Sequence, residues 1–160
     1  MFEEEIQKVA PLWSKYVRAK RTLLQAKFVR SFKSTEADFA EWLVATLLNG
    51  KLACSKSHAD YDVDAEGKRI QVKSVTKMPG NPNGYIIKPR DKRNNPTTGA
   101  THYAFVFFDE LIPEAIFVVP ESFVRNFNKS QIKRRDLDKT DFVIVVDLSA
   151  FKTAVSMSDD

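Results

Sequence analysis

Cysteine is nearly missing from this 160-residue chain, where Cys54 stands alone. It cannot close an internal disulfide or build a CxxC metal or redox site, so a reducing, intracellular setting is the simple expectation. Histidine is as scarce: His58 and His102, far apart in sequence, cannot complete a tetrahedral zinc set with one thiolate. No apolar run approaches the length of a membrane span. The start MFEEEIQKV lacks the basic-then-apolar order of a secretory signal, so no export is expected. There is no glycine-rich phosphate loop, which argues against nucleotide-driven chemistry. Cys54 and Ser55 have no evident ordered partner to make either a nucleophile.

Acidic residues are absent from positions 6–35, which carry Lys8, Lys15, Arg18, Lys20, Arg21, Lys27, Arg30 and Lys33. A second basic cluster, Lys88, Arg90, Lys92 and Arg93, lies in a segment rich in Pro, Gly and Asn; a third comprises Arg125, Lys129, Lys133, Arg134 and Arg135. The net charge is only +4, so distribution rather than total is informative. One such cluster is ordinary solvated surface; three around an acidic centre favour a polyanion. Lys20, Arg21, Lys27, Lys88, Arg90, Lys92 and Arg93 are the candidates for nucleic-acid contact through phosphates.

With 43% hydrophobic and 29% charged residues, the chain reads as one globular domain, a basic helical extension (1–33) and a core (34–155). Periodicity predicts a helix over 11–32, starting at Pro11. Its basic character suits a membrane surface or nucleic acid; nothing else in the chain suggests lipid, so nucleic acid is the expectation. A second helix, 36–48, is apolar on most sides and should be buried, with Thr35 and Asp38 as a capping box and Gly50 as a left-handed cap. Within it Glu41 is costly unless paired or bound to metal; the bland alternative is a narrow solvated edge shared with Asp38. Strands are expected at 102–108 and 115–119, paired antiparallel, with a short one at 85–88 inside a long loop. A helix at 121–127, a strand at 141–147 and a helix at 149–154 follow.

The centre is DYDVDAEGKRIQVKS, residues 60–74, two short alternating runs about a Glu66-Gly67 turn. Gln71 and Lys73 share one strand face, Ile70 and Val72 the other. The acidic arm carries Asp60, Asp62 and Asp64. Asp62 is preferred because Tyr61 and Val63 bracket it and its distance from the turn pairs it with Gln71 and Lys73, whereas Asp64 should face solvent. Phosphodiester hydrolysis needs charge neutralisation and a positioned water, which a cation on hard oxygens supplies. Asp62 is the principal candidate ligand, with the Gln71 amide, the Val72 carbonyl and Glu41 in support and Lys73 for the attacking water.

Asp62, eight residues, then Gln71-Val72-Lys73, preceded by an apolar helix bearing Glu41, resembles the PD-(D/E)xK superfamily of restriction-endonuclease-like nucleases. The resemblance covers residues 35–147 and implies an α/β fold, a mixed central sheet flanked by helices. It places the metal-binding Asp on Asp62, the helix Glu on Glu41, the Glu of the ExK pair on Gln71 and the catalytic Lys on Lys73. Gln is a departure from the commonest pattern, an oxygen ligand without charge; the end-cleaving subunit of some heteromeric transposases has Gln there and is active. The resemblance implies a Mg2+-dependent DNA endonuclease of restriction, mobile-element or phage type, with Mn2+ as a substitute ion. A homodimer and a cytoplasmic location in a bacterial or phage setting follow by analogy. The alternatives are a non-catalytic nucleic-acid-binding module that retains the fold, and an interaction protein whose basic clusters are mere surface.

Overall fold

The computed structural model describes residues 2–31, 34–54, 61–77, 84–89, 99–109 and 112–144. Helix α1 (Phe2–Gln25) leads into a bend and then helix α2 (Thr35–Leu47). Strands β1 (Lys51–Leu52), β2 (Val63–Ala65) and β3 (Lys68–Lys77) follow, then β4 (Tyr85–Ile87), β5 (His102–Asp109) and β6 (Ile112–Pro120). Helix α3 (Glu121–Asn126), β7 (Gln131–Lys133), α4 (Arg134–Leu137) and β8 (Val143–Ile144) complete the described chain. The main sheet has the order β1-β2-β3-β5-β6-β8, with β3 and β5 parallel and the other pairs antiparallel. This is the mixed α/β sheet flanked by helices that the sequence led us to expect.

The apolar runs of β5 and β6 are covered on both faces, which is why they lack alternation. One face packs under α2 through Leu43, Val44, Ile70, Val72, Ala104 and Val106. The other packs Phe105, Phe107, Phe117 and Val119 against Ile86, Val124, Ile132 and Leu137. The segment 85–88 is thus no isolated loop strand: β4 pairs antiparallel with β7, and this small second sheet covers the phenylalanine face. β7 and α4 lie between the expected helix at 121–127 and the expected strand at 141–147, where no element was expected. The expected helix at 149–154, and the strand beyond Ile144, lie outside the described residues.

Several local expectations are corrected. The first helix spans Phe2–Gln25 rather than 11–32, with Pro11 inside it. Pro11 deprives the Gln7 carbonyl of its donor, but Gln7 and Pro11 lie on an exposed side where water replaces the lost bond. The helix stops in a Schellman turn: Phe28 N–H donates to the Leu23 carbonyl, Lys27 N–H to that of Leu24, and Lys27 takes the left-handed conformation at φ 63°.

α2 ends the same way, but Asn49 (φ 52°), not Gly50, is the left-handed residue. Gly50 is required for a different reason. A Cβ there would lie 2.6 Å from the Asp64 carbonyl oxygen and 2.7 Å from Ala65 Cβ, so the β2 hairpin presses onto the helix end. No Thr35–Asp38 capping box forms. Ser34 is the N-cap, without a side-chain bond. Asp38 instead turns back to accept the Arg30 and Ser31 N–H groups, each at 2.7 Å, and is buried.

One ion-pair cluster ties the sheet to α4. Glu114 forms ion pairs with Lys77 and Arg134, both at 2.8 Å. Burial alone would raise its pKa, but the Lys77 hydrogen bond and the charges of Arg134 and Lys77 outweigh it and hold the carboxyl below its ordinary value. A depressed folded-state pKa contributes stability above the unfolded value that is lost as pH falls through the folded one. Glu114→Gln is therefore expected to cost about 1 kcal/mol at pH 7. Urea melts should show that difference shrinking as the pH drops below 4.5.

Candidate functional site

The hairpin forms as its sequence dictates. Glu66 (φ 48°) and Gly67 (φ 77°) supply the two positive-φ residues of a tight two-residue turn. Ala65 and Lys68 flank it, Asp64 faces Arg69, and Val63 faces Ile70. Continuing that register sets Asp62 opposite Gln71. Here the ladder gives out: Asp62 N–H still donates to the Ile70 carbonyl at 2.8 Å, but Val72 N–H goes to Asp62 Oδ2 at 2.8 Å.

A side chain has replaced a main-chain acceptor, and this fixes the Asp62 carboxylate against β3. The N–H and C=O of one strand residue point to the same edge, so the Val72 carbonyl also faces Asp62. Asp64, by contrast, is exposed, as expected. Asp60 and His58 lie outside the described residues.

Glu41 does not sit on a solvated edge with Asp38. Both are buried, at 7% and 1% exposure. Arg30, which the sequence reading left among the general basic residues, meets the Glu41 carboxylate through its Nη2 and donates from Nη1 to the Ala53 carbonyl at 3.0 Å. The Asp38 carboxylate presents Arg30 to this task by holding the backbone at positions 30 and 31. The signal for Arg30 was faint: one arginine in a basic run, eleven residues before a buried glutamate.

Burial raises the pKa of Glu41; the Arg30 hydrogen bond opposes this, the Asp62 charge adds to the rise, and the charges of Arg30 and Lys73 lower it. Glu41 therefore lies within the field of both Asp62 and Lys73. Strand alternation places Gln71 and Lys73 on the face away from α2, with Val75, so the two sets of residues approach Asp62 from opposite sides. Among the described residues no hydrogen bond joins Gln71 to Glu41 or Asp62.

The donors are all hard oxygens: the Glu41 carboxylate and the Asp62 carboxylate whose charge it feels, an amide opposite Asp62, and a main-chain carbonyl. That set fits Mg2+ or Mn2+, usually held by one or two carboxylates plus water and substrate phosphate. It does not fit zinc, and no group of three or more His, Cys, Asp or Glu suited to a metal occurs among the described residues.

The basic candidates divide. Arg21 and Lys27 are exposed, and Lys20 lies 5.2 Å over the Tyr16 ring. Lys88 is otherwise engaged: its ammonium donates to the Arg125 and Phe127 carbonyls at 3.0 and 2.6 Å, closing the C-terminal end of α3. Arg90, Lys92 and Arg93 lie outside the described residues.

No family model matches the chain, and no curated protein matches it. Among solved structures, a bacterial homing endonuclease aligns over 81% of this chain and 97% of its own, with 18% identity and a TM-score of 0.47.

Proposed function

We propose that the chain is a metal-dependent DNA endonuclease whose centre is Asp62, Glu41, Gln71, Val72 and Lys73. The observation that carries this is the end of the β2–β3 ladder, where a strand-anchored Asp62 shares an electrostatic neighbourhood with buried Glu41 and with Lys73. Gathering like charges at a half-buried site raises the energy of the ionised pair, and a divalent cation removes that cost. Asp62 and Glu41 would hold Mg2+, with the Gln71 amide oxygen and the Val72 carbonyl as neutral donors. Bound there, the ion would neutralise the scissile phosphate and acidify a water. Lys73, with no ion-pair partner among the described residues, is available to orient that water or to stabilise charge developing on the phosphate. Arg21, Lys20 and Lys27 would carry the backbone contacts of DNA.

A second reading has its own support. Arg30 already neutralises Glu41, and Gln71 contributes no charge, which suits a nucleic-acid-binding module without catalysis. Plasmid nicking separates the two. The endonuclease reading expects nicking with Mg2+ or Mn2+, its loss in EDTA, and at least ~10²-fold loss in Lys73→Ala with an unchanged melting curve. Salt-dependent binding without nicking under any metal would establish the binding module instead.

A further inference from the structure

We propose that the β4–β7 ribbon reads duplex DNA, entering the major groove with Ile87 and Gln131 toward the bases. The partner rests on the endonuclease reading above, and the surface rests on the fold. β4 and β7 pair antiparallel, with Ile86 and Ile132 buried against the main sheet at 6% and 0% exposure. Strand alternation therefore turns Tyr85, Ile87, Gln131 and Lys133 outward, and Ile87 is 63% exposed. A two-stranded ribbon fits the width of the major groove.

Its position suits the site. β4 starts against β3: a Cβ on Gly84 would meet Lys77 Cγ at 3.7 Å and Val75 Cγ1 at 3.8 Å. Val75 follows Lys73 on the face away from α2, so the ribbon and Lys73 share one side of the sheet. The far end of β4 is pinned, since the Lys88 ammonium holds the carbonyls that end α3. A rigid element keeps a reading residue in register.

Charge selects the partner. Residues 125–139 carry six Lys and Arg against two Asp. Both carboxylates are engaged: Asp136 accepts the Lys133 N–H at 3.0 Å and pairs with Lys129 at 3.8 Å, and Asp138 pairs with Arg134 at 3.7 Å. Lys133 and Arg135 have no ion-pair partner among the described residues. Together with Lys129 and Asp136 they rim a concavity of about 290 Å³ beside the ribbon, where a backbone phosphate would be held. One isoleucine among cations offers a protein partner too little apolar surface. It suits a thymine methyl, while the Gln131 amide can pair with adenine N6 and N7. Ile87 and Gln131 lie directly opposite each other across the ribbon, so they meet the same or adjacent base pairs.

Selection of duplexes from a random-sequence pool by the full chain in EDTA, followed by salt titration, is the test. Wild type should select a motif with at least one A·T pair. Gln131→Ala and Ile87→Ser should each relax that preference roughly tenfold, with urea melts unchanged. Lys133→Gln combined with Arg135→Gln should instead weaken binding to every sequence, and lower the slope of log K against log salt by about 2. A wild type that selects no motif overturns the proposal. So does a preference that survives both Gln131→Ala and Ile87→Ser, or a salt slope unmoved by the double variant. Nicking in Mg2+ or Mn2+ is scored separately. Binding that shows these shifts without nicking upholds the ribbon and sinks the endonuclease reading; nicking with binding indifferent to all four changes does the reverse.

Discussion

Asp62→Asn is expected to abolish divalent-dependent DNA cleavage, by at least ~10²–10³-fold, while the chain stays folded. The substitution separates the two roles of Asp62. Its Oδ2 accepts the Val72 N–H where the β2–β3 ladder ends, and an asparagine oxygen can accept that bond as well. What asparagine cannot supply is the negative charge that would attract a cation beside Gln71.

Asp62→Ala removes both, and should add about 1 kcal/mol of lost stability for the unmet strand donor. A second readout requires no activity. Because the Asp62 charge helps to raise the pKa of Glu41, Asp62→Asn should move the Glu41 titration back toward the ordinary carboxylate range, followed by carboxyl NMR. Cleavage at the wild-type rate by Asp62→Asn would remove Asp62 from the site. A Glu41 titration unmoved by the substitution would separate the two carboxylates.

The parts of this geometry that were legible in the sequence are those governed by local rules. Alternation in 60–74 and a Glu-Gly turn define a hairpin and its register, hence which aspartate faces Gln71. Apolar periodicity defines α2 and, by its lack of a polar face, its burial. Other features depend on contacts between distant segments.

Asp38 reads as a helix-cap residue because capping is the commonest use of Asp three residues into a helix. It is drawn elsewhere because the bend after α1 brings two bare N–H groups to it. Gly50 reads as a left-handed cap, but close approach of the β2 hairpin decides it. Lys88 reads as free charge until β4 pairs with β7 and carries it to the end of α3. Arg30 is the costliest omission, since the partner of a buried carboxylate cannot be assigned before the chain is folded.

Arg30→Met should be among the most destabilising single changes in the chain, by up to ~3–5 kcal/mol at pH 7. The guanidinium is 25% exposed and the Glu41 side chain 9%, so the carboxylate is the member of the pair that cannot escape to water. Methionine fills much of the arginine stem's volume, which isolates the electrostatic effect from a packing defect.

The pH dependence carries the signature. Glu41 already has a raised folded-state pKa, so the folded chain binds a proton more readily than the unfolded one. Its contribution to stability is therefore greatest in acid and falls as pH rises from about 4.5 through the folded-state value. Without Arg30 the folded value climbs further, the window widens toward neutrality, and the deficit at pH 7 grows while that at acid pH stays small. Arg30→Met with Glu41→Gln should recover most of the loss and flatten the profile, giving a coupling energy by double-mutant cycle.

Mg2+ offers the final discrimination. If Glu41 and Asp62 share a cation site, millimolar Mg2+ should raise the melting temperature of Arg30→Met more than that of wild type, because the ion takes over the neutralisation Arg30 performed. Equal shifts in the two proteins would leave Arg30 as a structural counter-ion and place the cation elsewhere.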